Sequence, residues 1–138
     1  MRGENIMKSV VIVDDSTTAR MCIKTCLENA GYQKTVFYEA QNGEEAITII
    51  KNNDIVPDLV ITDLNMPGMN GISLLKRLKS SPKYTNIPVV IITSAGSPNL
   101  KEELLSIGAL AVLNKPISPA SFSVILNDLS KDVETSWG

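Results

Sequence analysis

The fold of this 138-residue chain is indicated first by residues 59–71, which have the sequence LVITDLNMPGMNG. Residues 59–62 are apolar or β-branched and predict a buried strand. The residues that follow are rich in Gly, Pro and Asn, which interrupt regular structure. We therefore expect Asp63 at the end of a rigid strand, where it begins a loop of the kind that carries function.

Three further apolar runs end in polar or charged residues. In chain order they are Val10–Val13 before Asp14-Asp15, Val89–Ile92 before Thr93-Ser94, and Leu110–Asn114 before Lys115-Pro116. Residues 35–38 add another strand, and amphipathic helical patterns separate all five runs. This alternation predicts a parallel sheet with helices on both faces.

We expect the α/β class, with five parallel strands and five helices in a doubly wound, flavodoxin-like arrangement. The strand order 2-1-3-4-5 is taken from known five-stranded folds of this class and is not deduced from the residues. The nearly continuous apolar strands agree, because parallel strands are buried on both faces. Residues 7–133 are expected to form one domain, and residues 1–6 and 134–138 to be flexible termini.

Composition argues against several classes of function. The net charge is −2 and lysine and arginine form no cluster, so nucleic acid is not an expected partner. We find no membrane-spanning stretch and no signal peptide, so we expect no membrane association and a cytoplasmic location.

The chain has no histidine, which excludes a phosphohistidine carrier. Cys22 and Cys26, four residues apart on a predicted helix, are expected to be small apolar residues on or near its buried face, and not a disulfide or half a metal site.

The residues that end the strands should surround one crevice. In open α/β sheets, ligands bind beyond the carboxyl ends of the strands, at the switch point in strand order. Asp14, Asp15 and Asp63 end the two strands at that point, and Thr93 and Lys115 end the next two strands. Three neighbouring carboxylates repel one another unless a cation joins them. Their oxygen atoms suit Mg²⁺, with Mn²⁺ as the alternative.

Such a site fits phosphoryl transfer. The metal would neutralise a phosphoryl group, and Lys115 and Thr93 would add a cation and a hydroxyl donor. Asp63 is the best candidate for a nucleophile that forms an acyl phosphate. Taken singly, each of these residues would more often be a turn residue, a solvated charge or a strand-end hydroxyl. Their expected meeting at one edge of the sheet favours a functional site.

The chain resembles the receiver domain of bacterial two-component response regulators, in particular the single-domain, CheY-like type. The resemblance covers about residues 7–133 and rests on four motifs: Asp14-Asp15, Asp63 with Met66-Pro67 and Gly71, Thr93-Ser94, and Lys115-Pro116. It implies that Asp63 is the phosphoacceptor, Thr93 the switch hydroxyl and Lys115 the phosphoryl contact. It also implies Mg²⁺ ligands, namely Asp14, Asp15, Asp63 and the backbone carbonyl of Asn65. A cis Lys115–Pro116 peptide bond is a further implication.

By the same resemblance, the phosphoryl donor is a phosphohistidine on a sensor histidine kinase or phosphotransfer protein. The chain would not be an enzyme in the usual sense, although it would catalyse its own phosphorylation and slow dephosphorylation. No room for an output domain follows the last helix, so we expect a separate protein effector, in chemotaxis or a phosphorelay. Effectors would meet the face formed by the fourth helix, fifth strand and fifth helix. Arg20, Met21 and Lys24 are candidates for kinase contact.

One position departs from the family. Receivers often have Tyr or Phe three residues before the lysine, coupled to the switch hydroxyl, and this chain has Val112 there. A rotating aromatic ring therefore cannot report phosphorylation. Either Thr93 and its loop act alone, or the output face changes by another route.

The residues leave other functions open. A phosphatase of the haloacid dehalogenase type also uses an Asp nucleophile with Mg²⁺, but it typically has an acid where this chain has Asn65. A flavodoxin-like cofactor binder could use residues 16–18 as a phosphate-binding turn, but Asp14 and Asp15 would repel the phosphate. A receiver that acts as a phosphate sink, or as a phosphorylation-independent adaptor, is the remaining alternative.

Overall fold

Strands and helices alternate along the chain in the computed structural model, which describes residues 7–94 and 96–127. The elements are β1 Ser9–Val13, α1 Thr17–Asn29, β2 Val36–Ala40, α2 Gly43–Asn52, β3 Leu59–Asp63, α3 Gly71–Lys79, β4 Val89–Thr93, α4 Pro98–Ile107, β5 Ala111–Asn114 and α5, described over residues 119–127. The strands form one parallel sheet in the order β2-β1-β3-β4-β5, which confirms the predicted fold class. The residues predicted to be flexible termini lie outside the described ranges.

The sheet separates two apolar layers. Val11 and Val13 of β1 pack with α2, α3 and α4, while Val10 and Ile12 pack with α1 and α5. This alternation follows from the strand period of two, which points successive side chains to opposite faces. Every residue of β1, β3 and β4 is buried, so the centre of the sheet is covered on both sides.

The strand register aligns the carboxyl ends of β1, β3, β4 and β5. Val13 pairs with Thr62, Asp63 with Ile92, and Thr93 with Asn114. The residues that follow β1, β3, β4 and β5 therefore leave the sheet along a single edge. This edge is the one at which the sequence predicts a site.

Several strand boundaries differ from the prediction by one or two residues, most clearly those of β2 and β5. β2 starts at Val36 and continues to Ala40, because Glu39 and Ala40 pair with the last residues of β1. β5 begins at Ala111, one residue later than expected. In the part of the chain that the structure describes, none of the helices combines the length and the apolar character needed to cross a bilayer.

Candidate functional site

Three carboxylates meet where β1 and β3 end. One oxygen from each of Asp14, Asp15 and Asp63 lies within 4.8 Å of the other two. Asp14 is 1% exposed and Asp63 is 7% exposed, while Asp15 is exposed to solvent. The prediction that these acids converge is therefore confirmed, although they come from positions up to 49 residues apart in the sequence.

Lys115 lies between the two buried carboxylates. Its Nζ is 3.3 Å from Oδ1 of Asp63 and 3.5 Å from Oδ2 of Asp14. The backbone N–H of Lys115 donates to the carbonyl oxygen of Thr93 at 2.9 Å. This hydrogen bond holds the start of the loop that follows β5 beside the end of β4. The Lys115–Pro116 peptide bond is cis, as the resemblance implied.

The charges in the site perturb one another. Burial raises the pKa of the Asp63 carboxyl, and repulsion from Asp14 raises it further. The ion pair with Lys115 and the hydrogen bond from the Leu64 N–H oppose that rise without cancelling it. Burial alone would lower the pKa of Lys115, but the carboxylates of Asp14 and Asp63 outweigh burial and leave it raised. Three carboxylates with a single lysine form an anionic, oxygen-rich donor set that fits a divalent cation such as Mg²⁺.

Asp14 is held in place through both its backbone and its side chain. Its N–H donates to the carbonyl oxygen of Ala40 at 3.0 Å, and its Oδ1 accepts from the N–H of Ser16 at 2.9 Å. Its carbonyl oxygen accepts from Nη1 of Arg20 at 2.6 Å. In contrast, the Asp15 carboxylate makes no hydrogen bond or ion pair within the ranges 7–94 and 96–127. The two neighbouring acids thus differ sharply in how firmly the protein orients them.

The inward contacts of Arg20 were not predicted from the sequence. Arg20 is 9% exposed, so its guanidinium is turned into the protein and away from the surface where a kinase contact was expected. Met21, the next residue along α1, is 61% exposed and remains available for such a contact. An arginine on an amphipathic helix gives no sequence signal that separates an inward contact from a solvated charge.

The remaining predicted residues differ in how far they are buried. Thr93 is fully buried at the end of β4, and Asn65 is exposed two residues after Asp63. Val112 is buried in the same apolar cluster as Leu104 of α4. Leu105 of α4 is 40% exposed and Val124 of α5 is 63% exposed, so both helices carry an exposed apolar side chain.

Known proteins match this chain in sequence and in fold. The model of the response regulator receiver domain family matches residues 10–127. A gliding motility regulatory protein of Myxococcus xanthus is 42% identical over 77% of this chain, and the chemotaxis protein CheY of Thermotoga maritima is 36% identical over 90% of this chain and 98% of its own length. A chain in the CheX–CheY–BeF₃–Mg²⁺ complex from Borrelia burgdorferi has a TM-score of 0.74 and 30% identity, with 83% of each chain covered. Two of the curated relatives are much longer, since this chain spans 13% and 47% of their lengths.

Proposed function

This chain belongs to the response regulator receiver domain family, and on that premise we propose that it is a phosphorylation-operated switch in which Asp63 accepts a phosphoryl group. The observation that carries the proposal is the arrangement of Asp63 itself. Its buried carboxylate adjoins a second buried carboxylate, and a lysine lies 3.3 Å away. Such a group can be both a nucleophile and part of a metal site.

The donor set fits Mg²⁺, with Mn²⁺ as the alternative. The carboxylates of Asp14, Asp15 and Asp63, together with the backbone carbonyl of Asn65, would hold the ion through hard oxygen atoms. When bound, the ion supplies positive charge that offsets the carboxylate repulsion and neutralises the oxygens of the incoming phosphoryl group.

Asp63 then acts as the nucleophile. The contacts from described residues to its carboxylate, those of the Leu64 N–H and Lys115, both go to Oδ1, which leaves Oδ2 for attack. That oxygen forms a bond to phosphorus while the bond between phosphorus and the donor imidazole nitrogen breaks. The imidazole leaves with the electron pair of the broken bond, and Asp63 becomes an acyl phosphate. Lys115 contacts the transferred group, and the Thr93 hydroxyl donates a hydrogen bond to it.

The partners follow from this chemistry. The donor is a phosphohistidine on a sensor histidine kinase or a phosphotransfer protein, and slow hydrolysis at the same site resets the switch. The output is contact with a protein effector, in chemotaxis or a phosphorelay within the cytoplasm, without nucleic acid or membrane. We place the effector surface at α4, β5 and α5, and the exposed apolar side chains of Leu105 on α4 and Val124 on α5 support a contact that includes these helices. The receiver domain would extend over residues 7–133.

The test is intact-mass spectrometry after incubation with acetyl phosphate and Mg²⁺. We expect the mass of one phosphoryl group to be added, and we expect it to be absent in Asp63→Asn and in the unmodified protein without Mg²⁺. If no adduct forms, incubation with beryllium fluoride and Mg²⁺ separates a short-lived adduct from an inactive site. Failure to form either complex, or an adduct that persists in Asp63→Asn, would overturn the proposal.

A further inference from the structure

We propose that Arg20 is a positioning residue for the metal site, that it orients Asp14 through the backbone, and that Glu39 on the edge strand β2 holds Arg20 in place. The inference rests on the proposed function, since it concerns the affinity of the same acids for Mg²⁺. It assigns Arg20 to the site and not to the surface of α1.

The guanidinium of Arg20 contacts three parts of the fold. Nη1 donates to the carbonyl oxygen of Asp14 at 2.6 Å, Nε donates to Oε1 of Glu39 at 3.0 Å, and Nη2 donates to Oγ1 of Thr17 at 3.2 Å. Arginine is rarely buried to this degree unless its charge is paired, and here Glu39 provides the pairing. Arg20 thus joins β1, β2 and the first turn of α1 beside the acidic pair.

These contacts restrict the backbone from which the Asp14 side chain projects. The Asp14 N–H is already anchored to Ala40 of β2, so a second bond at the carbonyl oxygen leaves its backbone little freedom to rotate. The planar guanidinium makes this bond directional, and its charge strengthens the bond. Residues that orient metal ligands in this way typically change metal affinity by about 10- to 100-fold when they are removed.

Glu39 also affects the electrostatic repulsion between Arg20 and a bound metal ion. The Arg20 cation, which contacts the backbone of Asp14, would repel a bound metal, and the Glu39 carboxylate at 3.0 Å reduces that repulsion. Charge and positioning therefore predict opposite outcomes when Arg20 is removed. Loss of the charge alone would tighten Mg²⁺ binding, whereas loss of positioning would weaken it. The sign of the change distinguishes the two roles.

The test is an NMR titration of ¹⁵N-labelled protein with Mg²⁺, in which the amide signals of residues 14–16 and 63–65 are followed. We expect Arg20→Ala to bind Mg²⁺ about tenfold more weakly than the unmodified protein. The Mg²⁺ affinity of Arg20→Lys should lie between those of Arg20→Ala and the unmodified protein. A lysine keeps the charge but lacks the planar guanidinium that contacts Asp14 and Glu39 at the same time. The control is Arg77→Ala, which removes the same charge from the exposed side of α3 and should leave Mg²⁺ affinity unchanged.

A second variant protects the test if Arg20→Ala does not fold. Glu39→Gln changes an exposed side chain and weakens the contact that holds Arg20, and it should also weaken Mg²⁺ binding. Because it leaves the Arg20 charge unbalanced as well, its result is compared with that of Arg20→Lys, which keeps both charges. Melting temperatures measured in EDTA report any loss of stability separately from affinity. Unchanged or tighter Mg²⁺ binding in the folded variants would overturn the inference alone. Failure of the unmodified protein to bind Mg²⁺ would overturn the proposed function, and this inference with it.

Discussion

At the scale of single residues, Lys115 balances two buried negative charges. Its Nζ lies within 3.5 Å of both Asp14 and Asp63. Breaking an ion pair by removing one partner is costly, because the remaining charge stays buried without compensation. The cost should be smaller here than in a closed core, since the Lys115 side chain is 32% exposed.

We therefore predict that Lys115→Met lowers the free energy of unfolding by about 1–3 kcal/mol in EDTA. Saturating Mg²⁺ should restore much of this loss, because a divalent cation can take over the neutralisation of Asp14 and Asp63. Urea denaturation with and without Mg²⁺ measures both effects.

The matched control for Lys115→Met is Lys83→Met. Lys83 pairs with Asp54 at 3.1 Å, but both side chains are largely exposed. Exposed ion pairs contribute little to stability, so we expect no measurable change and no effect of Mg²⁺. Equal losses in the two variants would contradict the assignment of Lys115 as the cation of the site.

At the scale of elements, the turn from β3 into α3 depends on a close approach at Gly71. The Gly71 N–H donates to the carbonyl oxygen of Leu64 at 2.9 Å. A Cβ atom at this position would lie 2.5 Å from the Asp63 carbonyl oxygen and 3.0 Å from the Leu64 Cα. These obstacles are backbone atoms, so the start of α3 and the residue that bears the proposed nucleophile must move together.

We predict that Gly71→Ala costs about 1–3 kcal/mol of stability, the usual range for overpacking, and slows phosphorylation by acetyl phosphate. The comparison is Gly43→Ala at the start of α2. There the nearest atoms belong mainly to the Met69 side chain, which can shift, with the Met69 carbonyl oxygen at 3.0 Å. Urea denaturation and the rate of adduct formation should both show the larger loss for Gly71→Ala. The reverse order would contradict the role given to this turn.

Much of this element order could be predicted because apolar runs and loop residues alternate so regularly. The end of β2 could not, because Glu39 is a polar residue on an exposed edge strand and breaks the apolar run that marked the strand. The 2-1-3-4-5 strand order also could not be deduced from the residues and was taken from known folds. The pattern of apolar and polar side chains predicts which residues are buried, but it does not predict which strands become neighbours in the sheet.

For the molecule as a whole, the same limit explains why the contacts of Arg20 were missed. The acids could be predicted to converge because each ends a strand and parallel strands share an edge. Arg20 could not, because its contacts depend on α1, β1 and β2 being packed together. Val112 was identified as a departure from the family, and its burial against α4 now restricts how a signal could cross the molecule.

Signal transmission should pass from Thr93 to α4 without a side-chain rotation at Val112. Val112 is 9% exposed and shares a core with Leu104, so it has no outward position comparable to that of an aromatic ring. The backbone of Thr93 is connected to the loop that begins at Lys115, since the Thr93 carbonyl oxygen accepts a hydrogen bond from the Lys115 N–H. If the proposed function holds, a movement of the Thr93 hydroxyl toward a phosphoryl group on Asp63 would shift the start of α4 and the start of the β5–α5 connection together.

We predict that beryllium fluoride with Mg²⁺ shifts the amide NMR signals of α4 and β5 in the unmodified protein. Thr93→Ala should still form the complex but lose most of the shifts in α4, because a phosphorylation mimic changes the conformational balance only through contacts that differ between the two states. The control, Val112→Ala, opens a small cavity and should lower stability while keeping the response. If Val112→Ala abolished the α4 shifts and Thr93→Ala preserved them, coupling would run through the core at Val112 instead of through the switch hydroxyl.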